Sequence, residues 1–249
     1  MRAALAHAVE NDEFYPVYQP KIDLDTGATV GVEALARWDA AEYGPVSPTT
    51  FVPILTAADL MVQFGRDLFE KILADVPALR LRYGEAITVS INVSPVQMLS
   101  PSFCTYLDEL CRRHAVDPST VVVEITEDVF VGDVETVRRI VTCLSDRGIA
   151  VALDDFGKGF SSLYYIRHIP FKELKVDKSF IDDITDNERS RALFRSICDI
   201  AATYGHTVVA EGVEREEQIT VVRDAGCTTA QGFFFAKPEA LRTELVSPG

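Results

Sequence analysis

The chain has 249 residues, 47% of them hydrophobic and 25% charged, and a formal charge of −14. This composition supplies a sizeable core and excludes a disordered chain. The acidity excludes long nucleic acid as a partner, because binding through a phosphate backbone needs clustered Lys and Arg.

The first segment, about Met1 to Asp12, is expected to form a short helix. Charges at Arg2, Glu10 and Asp12 leave no apolar run for a signal sequence, and nothing later approaches the ~18 apolar residues of a membrane span. A cytoplasmic protein is expected. Short β-branched runs then recur at Tyr15–Pro20, Thr29–Glu33, Ile87–Asn92, Val121–Ile125, Ala150–Asp154, Glu173–Val176, Thr207–Glu211 and Thr229–Phe233. Between most of them lie stretches of helical periodicity: Asp59–Arg82, Pro101–His114, Val134–Arg147, Arg189–Tyr204 and Glu216–Ala225. Gly148, Gly205 and Gly226 stand where helix C-terminal caps belong. The five cysteines are widely spread without a Cys-x-x-Cys pair and read as reduced thiols.

Alternating strands and helices, with near-continuous apolar strands, imply a parallel sheet covered by helices. Repeated about eight times in one domain over 1–249, the pattern predicts an α/β fold, a modified TIM-type (β/α) barrel. Its start is irregular. Only the turn Asp25-Thr26-Gly27 joins the first two runs, which predicts an antiparallel strand near the N-terminus.

In such a barrel the reacting groups project from the carboxyl ends of the strands. The run ends supply Glu33, Asn92, Glu124, Asp154 with Asp155, Lys175, Glu211 and Gln231. Taken singly, each has a structural explanation as a cap, a turn residue or a solvated side chain. Gathered on one rim, the carboxylates would repel one another unless cations neutralised them. An oxygen-only donor set suits Mg²⁺ or Mn²⁺. His7, His114, His168 and His206 occupy none of these positions, which disfavours zinc. Asp155-Phe156-Gly157 and Gly157-Lys158-Gly159 imitate kinase and P-loop motifs without the flanking residues that those motifs need.

The ordered set Tyr18-Gln19-Pro20-Lys21, Glu33-Ala34-Leu35 with Arg37-Trp38, Ile91-Asn92-Val93-Ser94, Glu124-Ile125-Thr126-Glu127, Asp154-Asp155-Phe156-Gly157, Leu174-Lys175-Val176-Asp177, Ala210-Glu211-Gly212-Val213-Glu214 and Gln231-Gly232-Phe233 resembles the EAL-type cyclic di-GMP phosphodiesterases, from about Phe14 to Pro238. The resemblance implies a two-metal hydrolase opening cyclic di-GMP to linear pGpG with two Mg²⁺ or Mn²⁺ ions, Ca²⁺ being expected to inhibit. By matching motif, Glu33, Asn92, Glu124 and Asp154 look like ligands of one ion, with Asp154 shared. Asp155 looks like a ligand of the second ion, and Glu211 like a further metal-site carboxylate. Gln231 looks like a partner of the attacking water and Lys175 like the group that orients or deprotonates it. Gln19, Pro20 and Arg37 look like substrate contacts, and Glu127 like a brace for the loop from Phe156 to Ser162. The resemblance also implies pairing into a homodimer and control by a regulatory domain outside this chain.

A non-catalytic cyclic di-GMP receptor of the same fold is the rival reading, although every ligand position is filled. The sequence departs from the family pattern at Lys158, where threonine is usual. The flanking glycines are expected to set the loop's path, and the long Lys158 side chain is expected to run outward to solvent.

Overall fold

The structure is a computed structural model that describes residues 1–130, 133–158 and 163–241. After helix α1 (Arg2–Glu10), strands β1 (Phe14–Asp23) and β2 (Thr29–Ala40) form a hairpin. Its turn is closed by Gly27, at φ 71°, and by the Asp23 carboxylate, which accepts from Thr26 N at 2.8 Å. β3 (Gly44–Val46), α2 (Pro48–Ala57) and α3 (Met61–Tyr83) follow. The chain then alternates through β4 (Thr88–Asn92), α4 (Pro95–Met98), α5 (Phe103–Arg113), β5 (Val121–Thr126), α6 (Val134–Ser145), β6 (Ala150–Phe156), α7 (Leu163–His168), β7 (Glu173–Val176), α8 (Glu188–Thr203), β8 (Thr207–Ala210), α9 (Glu216–Asp224) and β9 (Thr229–Ala230).

The strands pair in the order β1-β9-β8-β7-β6-β5-β4-β2, and β1 pairs with β2 again, which closes a barrel of eight strands; β3 hangs on the outer part of β2. β1 is antiparallel to both of its neighbours, while β2 and β4 to β9 run parallel. The antiparallel start expected from the short turn is therefore present, and the mixed barrel matches the expected fold.

The expected helices lie within a few residues of the observed ones, and Gly148, Gly205 and Gly226 all have positive φ, as helix-terminating glycines do. β2 runs seven residues past the expected Glu33, because the alanine-rich continuation Ala34-Leu35-Ala36 has weak strand propensity and is held by its pairing with β1. β9 stops at Ala230, short of the expected Phe233. α2 begins at an N-cap, Ser47, with Pro48 in its first turn, and the further proline within it, Pro53, conceals it in the sequence.

Alternation along the strands divides two environments. Ile91, Val123, Val151, Leu174 and Val208 are buried against the surrounding helices. The alternate positions, among them Lys21, Ser90, Glu124, Glu173 and Lys175, meet inside the barrel. Trp38 closes one end of the apolar layer, packed with Phe14 and Phe51 and donating to Glu13 Oε2 at 2.9 Å. None of the described helices is long and apolar enough to cross a membrane.

Candidate active site

Two lysines organise the barrel interior. In the lower layer, Lys21 is 2% exposed, and its Nζ donates to Ser90 Oγ at 2.6 Å, Glu124 Oε1 at 2.8 Å and Glu173 Oε2 at 3.1 Å. Above it, Lys175 is 1% exposed, and its Nζ meets Glu124 Oε2 at 2.6 Å, Glu211 Oε1 at 2.9 Å, Asp154 Oδ1 at 3.1 Å and Glu33 Oε2 at 3.3 Å. Glu124 thus bridges the two layers. Lys21 stands in the Tyr18-Gln19-Pro20-Lys21 motif, and the resemblance implies no role for it. The available signal was its two-residue spacing from Gln19, which puts both side chains on one face of β1.

This arrangement sets the charge states. Burial opposes ionisation of Glu124, but the two lysines outweigh it and bring the carboxyl down to about 2. Burial raises Asp154 to about 6, with Lys175 opposing and the surrounding carboxylates reinforcing the rise. Burial likewise raises Glu211 to about 8. For Lys175 burial disfavours the ammonium, yet Asp154, Glu124, Glu211 and Glu33 together hold its pKa well above the ordinary lysine value. Without divalent cations Lys175 is therefore a firmly protonated counter-ion, the opposite of the lowered pKa expected in a field of bound cations.

Two groups of carboxylates have oxygen atoms within 4.8 Å of one another: Glu33, Glu124 and Asp154, and Asp154, Asp155 and Glu211. Asp154 belongs to both. Period-two alternation would turn Asp155 away from Asp154. Two backbone irregularities bring it round: the pairing of β6 with β7 shifts register between Leu153 and Phe156, and Asp155 sits at φ 54°, a left-handed conformation that Asp tolerates better than most residues. Asp155 N donates to Asp154 Oδ1 at 2.8 Å and steadies the pair. Asn92 stands at the end of β4, and its Nδ2 donates to Glu33 Oε1 at 2.8 Å.

The donor set fits hard divalent cations. Among the described residues, the buried Gln231 Oε1 has no hydrogen-bond partner, while its Nε2 donates to Glu33 Oε2 at 2.6 Å and to Gln19 Oε1 at 3.0 Å. An acceptor held in that position beside clustered carboxylates matches the needs of a cation-bound water. Gly232 makes this placement possible, since a Cβ there would lie 2.1 Å from the Val213 carbonyl oxygen.

A cleft of about 340 Å³ opens over these groups, lined by Gln19, Glu33, Leu35, Asp155, Lys158, Asp177, Glu211, Gln231 and Phe233 among others. Gln19 therefore faces the site. Gln19 and Lys21 both point into the barrel, so alternation turns the buried Pro20, also expected as a substrate contact, to the other face of β1. Arg37 follows Glu33 and Leu35 on one face of β2, outside the cleft lining, and its Nη1 donates to Ala36 O at 2.8 Å. Glu127 Oε1 accepts from Gly157 N at 3.2 Å, at the start of the loop it was expected to brace; 159–162 of that loop lie outside the described residues. Lys158 corrects a further expectation. Its ammonium turns to Asp155 Oδ1 at 2.6 Å and Asp177 Oδ2 at 2.8 Å, drawn inward by two carboxylates. His206, buried between the Phe171 and Ile166 carbonyls, is a packing residue, and all five cysteines are free.

Comparison with known proteins places this geometry. The family model of the EAL domain matches residues 2–238. The chain is 33% identical over 236 residues to the cyclic di-GMP phosphodiesterase PA2567 of Pseudomonas aeruginosa, covering 94% of this chain and 40% of that protein. It is 35% identical over 237 residues to the oxygen sensor protein DosP of Escherichia coli, covering 95% of this chain and 30% of that protein. The chain thus spans well under half the length of either relative. Among solved structures, the PaMucR phosphodiesterase in complex with c-di-GMP superposes with a TM-score of 0.88 at 32% identity, over 95% of this chain and 96% of that one. With the barrel, the paired carboxylate groups and the family match in agreement over nearly the whole chain, this protein belongs to the EAL domain family.

Proposed function

We propose that this chain is a metal-dependent phosphodiesterase that hydrolyses cyclic di-GMP to linear pGpG. The observation that carries the reading is the pair of carboxylate groups sharing Asp154, with Lys175 between them and the unpartnered Gln231 Oε1 at their edge. Glu33, Asn92, Glu124 and Asp154 would hold one Mg²⁺ or Mn²⁺, and Asp154, Asp155 and Glu211 the other. Divalent cations in such a pair lower the pKa of a bound water and stabilise charge on phosphoryl oxygens during in-line attack.

The chain's own groups supply the rest. Gln231 Oε1 accepts a hydrogen bond from the attacking water and orients its lone pair. Lys175, whose ammonium is held by four carboxylates, would lose that hold if those carboxylates engaged divalent cations; having released its proton to solvent, Nζ would then be able to accept one from the attacking water. Lys21 keeps its contact with Glu124 Oε1 from below, so this carboxylate stays in place through the change. Gln19, Leu35 and Phe233, the last 56% exposed, offer one amide and two apolar surfaces to a cyclic dinucleotide lying across the cleft. The work proceeds in a cytoplasmic protein whose longer relatives leave room for a regulatory domain.

The Lys158–Asp155 ion pair favours a second reading, a receptor that binds cyclic di-GMP without cutting it. Incubation with cyclic di-GMP and Mn²⁺, followed by chromatography of the nucleotides, separates the two: pGpG supports the enzyme, and intact bound substrate supports the receptor.

A further inference from the structure

Lys158 takes no part in the chemistry above, yet it is tied to Asp155 twice. Its Nζ lies 2.6 Å from Asp155 Oδ1, and its main-chain amide donates to Asp155 O at 3.1 Å. The turn that allows both runs through Gly157 at φ 102°, where a Cβ would lie 2.2 Å from the Phe180 ring. The other end of the ammonium is anchored on Asp177 Oδ2 at 2.8 Å. Asp177 is itself fixed, because its Oδ1 accepts from Ser179 N at 3.0 Å and caps the turn Lys178–Phe180.

An ammonium and a divalent cation cannot share one carboxylate oxygen, since they compete for its lone pairs and repel each other at contact distance. Of the two carboxylate groups, Lys158 touches only the one that contains Asp155. At 54% side-chain exposure it can also swing out into water, so the contact hinders a cation without walling it off.

We propose that Lys158 is a tethered competitor for the cation position at Asp155, so that this chain binds its two divalent ions in unequal steps and the second ion enters only when the Lys158 ammonium leaves. The proposal rests on the two-cation reading of the site. In this respect the chain would differ from relatives with an uncharged residue at this position: its need for metal would be set by the second ion, while the first group, Glu33, Glu124 and Asp154, would fill normally.

The test is direct Mn²⁺ binding to the whole chain without nucleotide, following free Mn²⁺ by electron paramagnetic resonance, for the wild type, Lys158→Thr and Lys158→Arg. The expected result is two steps in the wild type, with the second strengthened on the order of two- to fivefold in Lys158→Thr, as the release of a half-exposed ion pair allows. The first step should stay unchanged in all three proteins, and Lys158→Arg, which keeps the charge, should retain a weak second step. Two steps of the same affinity in the wild type and Lys158→Thr would overturn the inference while leaving the two-cation reading standing. Fewer than two Mn²⁺ bound by Lys158→Thr would overturn both.

Discussion

Replacing Lys175 by alanine removes the ammonium that faces Glu33, Glu124, Asp154 and Glu211 at 2.6 to 3.3 Å and leaves Lys21 paired with Glu124 alone of these four. Removing one partner from a buried ion pair costs about 3–5 kcal/mol. Here protonation moderates the loss, since Asp154 and Glu211 are already raised to about 6 and about 8 and lose an opposing cation. A net cost of about 3 kcal/mol in the metal-free protein, at about 2–4 °C per kcal/mol for a chain of this size, lowers Tm by about 6–12 °C. Mn²⁺ should recover much of that drop, because the uncompensated carboxylates then have a cation to hold. Turnover of cyclic di-GMP should fall by about 10²–10⁴, the usual contribution of a positioned acid or base, while binding of the nucleotide in Ca²⁺ persists. The assays are thermal melting with and without Mn²⁺, and nucleotide hydrolysis. An unchanged metal-free Tm with a near wild-type rate would refute the role given to Lys175 in both states.

Glu127→Ala removes the acceptor for Gly157 N and should lower turnover by at least about tenfold, or 1.4 kcal/mol of barrier, with little change in global Tm; an unaffected rate would deny the brace. Mn²⁺ affinity should rise between pH 6 and pH 8, because carboxyls raised to about 6 and about 8 hold protons at the lower pH that an ion must displace, and the protons released on binding can be counted by calorimetry in buffers of different ionisation enthalpy. A pH-independent affinity over that range would contradict the burial of these groups.

The parts of the site that follow from periodicity were legible in the sequence. Glu124, Asp154 and Lys175 stand near the ends of parallel strands, where alternation of two assigns a face and the strand end assigns the rim, and Glu33, within the longer β2, was placed by alternation although its strand runs on to Ala40. Asp155 obeys no such rule; a positive φ and a register shift bring it to Asp154, and only its Asp-Asp motif hinted at the pairing. Lys21 was hidden because the expected first strand stopped at Pro20, one residue short of it, and because the carboxylates and Ser90 that receive it come from other strands. Lys158 was misjudged for a related reason. A long side chain between two glycines has free access to water, and the deciding facts, the carboxylates of Asp155 and Asp177 converging from β6 and from the end of β7, are tertiary.

Whether these carboxylates work on a cyclic dinucleotide through bound divalent cations is decided by the fate of cyclic di-GMP itself. The whole chain, incubated with cyclic di-GMP and Mg²⁺ or Mn²⁺ and analysed by chromatography, should release linear pGpG, and excess chelator should abolish that release. Cyclic di-GMP recovered intact at every concentration of either ion, or hydrolysis undiminished in chelator, would contradict the account.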